Sequence, residues 1–429
     1  MSGTRHYLDH AATTPVRPEV AAAYAEELTR LGNPSSLHTH GRDARRRLEE
    51  AREHLAEALG AQPAEVLFTS GGTEADNLAV KGAFWARRAA DPERTRLAVS
   101  AVEHHAVLEA ATWLARHDGA GLDLLAVGGD GVLDVAALEE HLAVRGQATA
   151  VVSVMWANNE TGALQPLERV VALAHAAGAP VHSDAVQAVG HVPVDFAASG
   201  LDAMSLSGHK LGAPVGTGAL LARRELVLTP VEHGGGQERG VRSGTLAVAG
   251  ARALALAVGL AVAEQQQEAA RLRALRDRLV AAALAVPGVR LTGPADDGAR
   301  LPGVAHLTVD GADADALLFG LDMAGISASS GSACQAGVQE ASHVLLAMGR
   351  DEEQARSALR FSLGRTTTPA DVDAAAAALP GVVENARRAH ATRRAHVGRR
   401  TRPGAAAGWA AGFAAGGASA TAPVRRSPV

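Results

Sequence analysis

"EVLFTSGGTEADNLAVKGAFWARRAA", residues 65–90, decides the fold class. "EVLFTS" is a short apolar run of the kind buried strands use, Gly71-Gly72 turns the chain, and the remainder has the composition of a helix. The same alternation repeats downstream. "LAVSAVEH" (97–104), "ATAVVSVMWAN" (148–158), "APVHSDA" (179–185), "DAMSLS" (202–207) and "TGALLA" (217–222) are predicted strands, and "PLERVVALAHAAG" (166–178) is a predicted helix. Upstream, residues 17–31 and 41–59 read as amphipathic helices, the second placing Leu48, Leu55 and Leu59 at helical spacing before Gly60. Strand–helix alternation predicts an α/β fold with a mostly parallel sheet, whose ligands sit beyond the carboxyl ends of the strands.

Further along, residues 246–285 read as one long Ala/Leu-rich helix ending near Pro287. "GVAHLTVDG" (303–311) and "ALRFSLGR" (358–365) are predicted strands around a helix at 313–325, a shorter α+β region. The expected division is a large domain over 16–255, a small domain from 1–15 plus 256–385, and a tail over 386–429. The tail is Arg/His-rich, then uncharged Ala/Gly, a composition that buries little apolar area and predicts disorder.

Composition narrows the function. A net charge of −5 gives no global pull toward nucleic acid, so direct nucleic-acid binding is not expected. The single cysteine, Cys334, excludes an intramolecular disulfide. The first residues lack the apolar core of a signal peptide, and no strongly apolar run of about 20 residues is read in the body. A cytoplasmic protein without a membrane segment is the expectation.

Only two of the 41 basic residues are lysine, and one of them, Lys210, sits in "SLSGHKLGAP" (205–214) directly after a predicted strand. Lysine, unlike arginine, can lose its proton and condense with an aldehyde. In "TSGGTEADN" (69–77), small residues at a strand-to-helix turn let backbone N–H groups converge on an anion, though glycines there also serve simply to turn. Asp184, at the end of the strand in "VHSDAVQAVG", suits a cationic ring nitrogen or the N-cap of the next helix. A phosphate site, a pyridinium partner and a lysine for an aldehyde match the three groups of pyridoxal 5′-phosphate. Cys334 lies in "SASSGSACQAGVQEASHVL" (327–345), a Ser/Gly/Ala-rich context that favours a nucleophile over a core thiol. His38 and His40 have metal-like spacing without a third ligand, and His182, in an apolar strand, reads as a core histidine.

These motifs resemble those of cysteine desulfurases of the NifS/IscS type, in the class V aminotransferase family of pyridoxal phosphate enzymes. "YLDHAATTPV" (7–16), "NPSSLHTHGR" (33–42), "FTSGGTEADN" (68–77), "VEHHAV" (102–107), "NNETGALQPL" (158–167), "HSDAVQAVG" (182–190), "SLSGHKLGAPVGTGAL" (205–220), "HGGGQERGVRSGT" (233–245), "SSGSAC" (329–334) and "LRFSLGR" (359–365) follow in family order, and the likeness spans roughly residues 6–385.

The resemblance implies a fold-type I pyridoxal-phosphate transferase, with a seven-stranded, mostly parallel sheet in the large domain and a smaller α+β domain. It implies that Lys210 holds the cofactor aldehyde, Asp184 the pyridine nitrogen and Gln187 the ring hydroxyl, with His104 stacked on the ring. Gly72, Thr73, Ser207 and His209 would bind the phosphate, with Thr245 of a second subunit, hence a homodimer. Asn159, beside the cofactor, and Arg360 would hold the substrate carboxylate. L-Cysteine would give L-alanine and a Cys334 persulfide, with Lys210, His104 and Cys334 as the reacting groups. The sulfur would pass to an acceptor such as an iron–sulfur scaffold or a tRNA thiolase. No resident metal is implied, and Cys334 is the side chain that would ligate an iron–sulfur cluster in transit. A selenocysteine lyase of the same fold and a catalytically inert scaffold are the alternatives. The tail has no counterpart in the resemblance, which leaves scaffold docking through it open.

Overall fold

The structure, a computed structural model, describes residues 5–331 and 341–400, with side chains described to residue 393. The strands are β1 (His6–Tyr7), β2 (Val66–Thr69), β3 (Arg96–Ser100), β4 (Gly121–Leu125), β5 (Thr149–Ser153), β6 (Val181–Asp184), β7 (Ala203–Ser207), β8 (Gly218–Ala222), β9 (Val289–Leu291), β10 (Val304–Val309), β11 (Ile326–Ser327) and β12 (Ala358–Ser362). The helices are α1 (Pro18–Leu28), α2 (Thr39–Ala58), α3 (Gly72–Ala90), α4 (His105–His117), α5 (Val135–Arg145), α6 (Leu167–Ala176), α7 (Phe196–Ser199), α8 (Val248–Leu284), α9 (Ala314–Met323), α10 (His343–Ala347), α11 (Glu352–Ala355) and α12 (Pro369–Arg400).

Seven strands form one sheet in the order β2-β8-β7-β6-β5-β3-β4. Every pairing is parallel except those of β8, which runs against both β2 and β7. The expected seven-stranded, mostly parallel sheet is therefore present. Its strands alternate between two apolar layers, as the two-residue period requires. Met204 and Leu206 of β7 and Leu221 of β8 pack with α2, α6 and the first half of α8, whereas Ala203, Leu220 and Ala222 pack with α3 and α4. A smaller antiparallel sheet, β12-β10-β9, and the parallel pair β1-β11 share a separate core with the second half of α8 and with α12.

Three expectations need correction. The domain boundary at 255/256 falls inside α8, which is continuous across it: residues to Ala261 join the sheet core, and Leu272 to Ala283 join the smaller one. The hand-over thus lies between 261 and 272, because one helix face changes partner along its length. The same helix, whose richest 18-residue window has a mean hydropathy of 1.4, is long and apolar enough to cross a membrane by length and composition. A little under half of that window is buried, and the buried apolar residues of the helix pack into the two cores. Residues 386–400, expected to be disordered, continue α12 to Arg400. Val372, Ala375, Leu379, Val382, Val383 and Ala386 recur at helical spacing against the smaller core and hold this helix in place. Residues to His390 form one compact unit, with 391–400 in a second, and the rest of the tail lies outside the described residues. The edge strand β4 escaped sequence reading because only Leu125 of its five residues is buried.

One close approach fixes the end of the sheet nearest the first turn. Gly218 of β8 lies between Thr69 of β2 and Ser207 of β7, and a Cβ there would stand 2.5 Å from the Gly71 Cα. Gly218→Ala is expected to lower stability by about 2 kcal/mol through overpacking, read as a fall in the thermal midpoint. An unchanged midpoint would show that the 70–72 turn yields freely.

Candidate active site

The carboxyl ends of β6 and β7 open into a cavity of about 470 Å³. Gly72, Thr73, His104, Asn159, Asp184, Gln187, Ser207, His209, Lys210 and Arg360 all line it. The chain brings these together from six separate motifs. Thr245 lies apart, in a smaller depression with Ser70, Thr217 and Arg242, and Cys334 lies outside the described residues.

Lys210 closes a 3-10 turn, Gly208–Lys210, that follows β7 directly. Glycine is required at 208, where a Cβ would meet Thr217 Oγ1 at 2.2 Å. The Lys210 Nζ donates to the carbonyls of Ala11 and Ala12 at 2.6 and 2.8 Å. Burial and the nearby Arg360 guanidinium lower its pKa from 10.5 to about 8, against the opposing pull of Asp9 and Asp184. About a tenth of this amine is therefore unprotonated at pH 7, where an ordinary lysine has well under a thousandth.

Asp184 ends β6. Its Oδ1 accepts from the Val186 N–H at 2.8 Å, a turn-closing bond in place of a helix cap. Burial raises it to about 6, while that N–H and Lys210 pull it down. Gln187 Nε2 donates to the Ala11 carbonyl at 3.0 Å, so the first segment of the chain floors the cavity. His104 caps α4, its Nδ1 accepting from the Ala106 N–H at 3.2 Å. Burial and then Lys210 push it down to about 4, which leaves a neutral ring with its proton on Nε2. His209 is also pushed to about 4 by burial and Lys210, and its Nδ1 meets Thr13 Oγ1 at 3.2 Å.

Arg360, in β12, enters from the smaller sheet. Its Nη1 donates to the Asn159 carbonyl at 2.7 Å, its Nη2 to Asp9 Oδ1 at 2.8 Å, and its buried Nε has no partner among the described groups. It is Asn159's backbone, therefore, that touches Arg360.

Several cavity groups escaped sequence reading. Ala11 and Ala12 act through their carbonyls, for which no side-chain signal exists. Asp76, His105, Glu160 and His343 line the wall. Glu160, raised to about 7 chiefly by burial, accepts from Ser342 Oγ at 2.5 Å. Asp76 had a signal: a carboxylate among Ala75, Leu78, Ala79 and Val80, on the buried face of a helix. Of the other polar motifs, His38 caps α2 by accepting from Gly41 N–H, Arg242 holds Glu74, and Arg239 holds the carbonyls of Ala64 and Ala222.

The arrangement presents an amine for a carbonyl, a carboxylate for a cationic nitrogen, a guanidinium for a carboxylate, and hydroxyls at the N-terminus of the 19-residue α3 for an anion. The Lys210 amine should react with small acylating reagents along a pH curve centred near 8, read by peptide mass spectrometry. Arg360→Gln removes the neighbouring positive charge and should move that midpoint upward. A native midpoint at the ordinary lysine value, or one that Arg360→Gln leaves unmoved, would refute the electrostatic account.

Comparison with known proteins bears on this geometry. Residues 6–375 match the family model described as aminotransferase class-V. The chain is 55% identical over 384 residues to an IscS-like cysteine desulfurase of Mycobacterium tuberculosis, covering 89% of this chain and 97% of that one. It is 44% identical to a cysteine desulfurase of Cereibacter sphaeroides, over 89% and 97% of the two chains. The X-ray structure of a NifS-like protein from Rickettsia africae superposes with a TM-score of 0.79 at 33% identity, covering 89% of this chain and all of that one. The chain is thus a member of the class-V aminotransferases, within their cysteine desulfurase group of the IscS and NifS type.

Proposed function

We propose that this protein removes sulfur from L-cysteine, leaving L-alanine, and carries it as a persulfide on Cys334 to acceptor thiols. The observation that carries the reading is the half-buried Lys210 amine, lowered to about 8, in a cavity that also holds Asp184 and Arg360. The resident cofactor is pyridoxal 5′-phosphate, and the residues fit it. Gly72 lines the cavity at the first turn of α3, and a Cβ there would press to 2.8 Å on Val186 Cγ2. A phosphate would be held among Gly72, Thr73, Ser207 and His209, which line the cavity at the positive end of the helix. Arg360's unpartnered Nε answers a substrate carboxylate.

When bound, the cofactor supplies an aldehyde and an electron-withdrawing ring that takes up the electron pair left at the substrate Cα. Asp184 would hold a proton on the ring nitrogen, and Gln187 would serve the ring hydroxyl. Neutral His104 would face the ring, where a charged imidazole would be costly to bury. Lys210, as a free amine, takes the Cα proton. Arg360 and Asn159 fix the substrate carboxylate. The Cys334 thiolate then attacks the substrate sulfur: the S–S bond forms as the Cβ–Sγ bond breaks, and protonation of the remaining carbons yields alanine. Thr245 of a second subunit completes the phosphate site, which makes the working form a homodimer. The acceptors are iron–sulfur scaffold or tRNA-thiolating proteins, and the setting is the reducing cytoplasm.

The test incubates the full chain with pyridoxal phosphate and L-cysteine. Alanine release should accompany a gain of one sulfur on Cys334, and borohydride should fix the cofactor to Lys210. Cys334→Ser should lose about 100-fold or more in alanine formation, and Arg360→Ala should raise KM for L-cysteine about tenfold to 100-fold. A label on Lys81, or full desulfuration by the serine variant, would overturn the reading.

A further inference from the structure

Behind Asp184 lies a buried polar set whose other members have no part in the steps above. Ser153 of β5, His182 and Asp184 of β6, and Ser205 of β7 share one face of the large sheet. The register pairs Ser153 with His182 and Asp184 with Ser205, and residues two apart along a strand point the same way. That face is the one covered by α3, and Asp76 enters the layer from α3 with only 1% of its surface exposed. The His182 ring is held at both nitrogens, Nδ1 at 2.9 Å from Ser153 Oγ and Nε2 at 2.9 Å from Ser205 Oγ. The Ser205 hydroxyl lies beside the Asp76 carboxyl group and acts on its ionisation, and Asp76 Oδ1, 3.6 Å from His182 Nε2, has no hydrogen-bond partner among the described groups.

The ionisable groups facing Asp76 are Asp184, Glu103 and His182. Burial raises Asp76 well above the ordinary carboxyl range and the charge on Asp184 raises it further, outweighing the Ser205 hydroxyl, which pulls it down. Glu103 is raised in the same way, chiefly by burial, with Oε1 accepting from the Met155 N–H at 2.5 Å. Burial pushes His182 down to about 3, so its ring is neutral. Lys210 favours the ionisation of Asp184, and no cation is among the described groups acting on Asp76 or Glu103. Two adjacent buried carboxylates without a cation each would be very costly.

A neutral imidazole has one N–H, so the chain of hydrogen bonds has two directions. In one, Asp76 is an acid donating to Ser205, Ser205 donates to His182 Nε2, and Nδ1–H donates to Ser153. In the other, every bond is reversed and Asp76 is a carboxylate. We propose that Asp76 is a positioning residue for Asp184: as a neutral acid it is the terminal donor of the Asp76–Ser205–His182–Ser153 chain, sets the direction of every bond in it, and leaves Asp184 the one ionised carboxylate beneath the cofactor ring. This rests on the pyridoxal-phosphate reading. It gives His182 a task beyond filling the core, since its tautomer transmits the direction between β7 and β5.

Two variants of the full chain, each loaded with pyridoxal phosphate, test it. Asp76→Asn keeps an N–H donor in the same shape, while Asp76→Leu keeps the volume without the donor. The readouts are the cofactor dissociation constant and the pH midpoint of the visible absorption band. The asparagine variant should hold the cofactor within about twofold of the native protein with the same midpoint, and the leucine variant should bind about tenfold more weakly with a displaced midpoint. If asparagine is as damaging as leucine, Asp76 acts through a negative charge and the proposal is wrong. If both behave as native, Asp76 positions nothing. Should the leucine variant fail to fold, the asparagine midpoint alone decides, because a displaced value refutes a neutral donor. Failure of the cofactor reading is a different result: the native protein itself would then show no visible band to compare.

Discussion

Desolvation of charge at the carboxyl edge of the large sheet is the constraint on which the site depends. Lys210, Asp184 and Arg360 are each withdrawn from water, and a buried ion is tolerated only where an opposite charge or a set of hydrogen bonds answers it. The answers come from far along the chain. Asp9 meets Arg360 at 2.8 Å across 351 residues of sequence, and the carbonyls of Ala11 and Ala12 receive the Lys210 amine across about 200. The N-terminal segment is therefore a wall of the cavity, not a lead-in to the fold. Because it supplies mostly carbonyl dipoles and a single carboxylate, burial wins and the amine stays easy to deprotonate. A fuller ring of carboxylates around Lys210 would have held its proton and removed its nucleophilic character.

The same balance separates the carboxyl groups by role. Asp184 has the Val186 N–H and Lys210 to favour its charge, and is raised only to about 6. Asp76 and Glu103 have no cation among the described groups acting on them and are raised well above the ordinary carboxyl range. Carboxyl groups are thus shifted by different amounts according to what lies opposite each. Histidines divide likewise. His104, His182 and His209 are all kept neutral by burial, but only His104 and His209 line the cavity.

Close backbone approach supplies the precision that electrostatics needs. Gly208 lets the turn carrying Lys210 tuck against Thr217, and Gly218 lets β8 lie against Gly71, so the first turn of α3 and the Lys210 turn are braced by one antiparallel strand. β8 is the single strand that runs against the sheet, and its reversal is what returns the chain beside both turns. The Arg360 side chain brings the smaller sheet to the same point through Asn159 and Asp9.

How much of this was legible in the sequence follows from the range of the interactions. Strand–glycine–helix alternation, the placing of Asp184 and Lys210 just after apolar runs, and the rarity of lysine are local signals, and they sufficed for the α/β fold, for Lys210 and Asp184 and for the glycine turn before α3, whereas the remaining cavity residues read in the sequence came from the family resemblance. The edge strand β4, the single helix that serves two cores and the helical continuation past residue 386 were misread or missed because each is stabilised by partners distant in sequence. Asp9, Glu160 and the Ala11 and Ala12 carbonyls had no local signature at all. The sequence alone determined which chemical groups are available and on which strand ends they stand, since period and turn chemistry are short-range properties. Only the tertiary structure decided which groups are charged, because charge in a buried site is set by what faces it across the cavity.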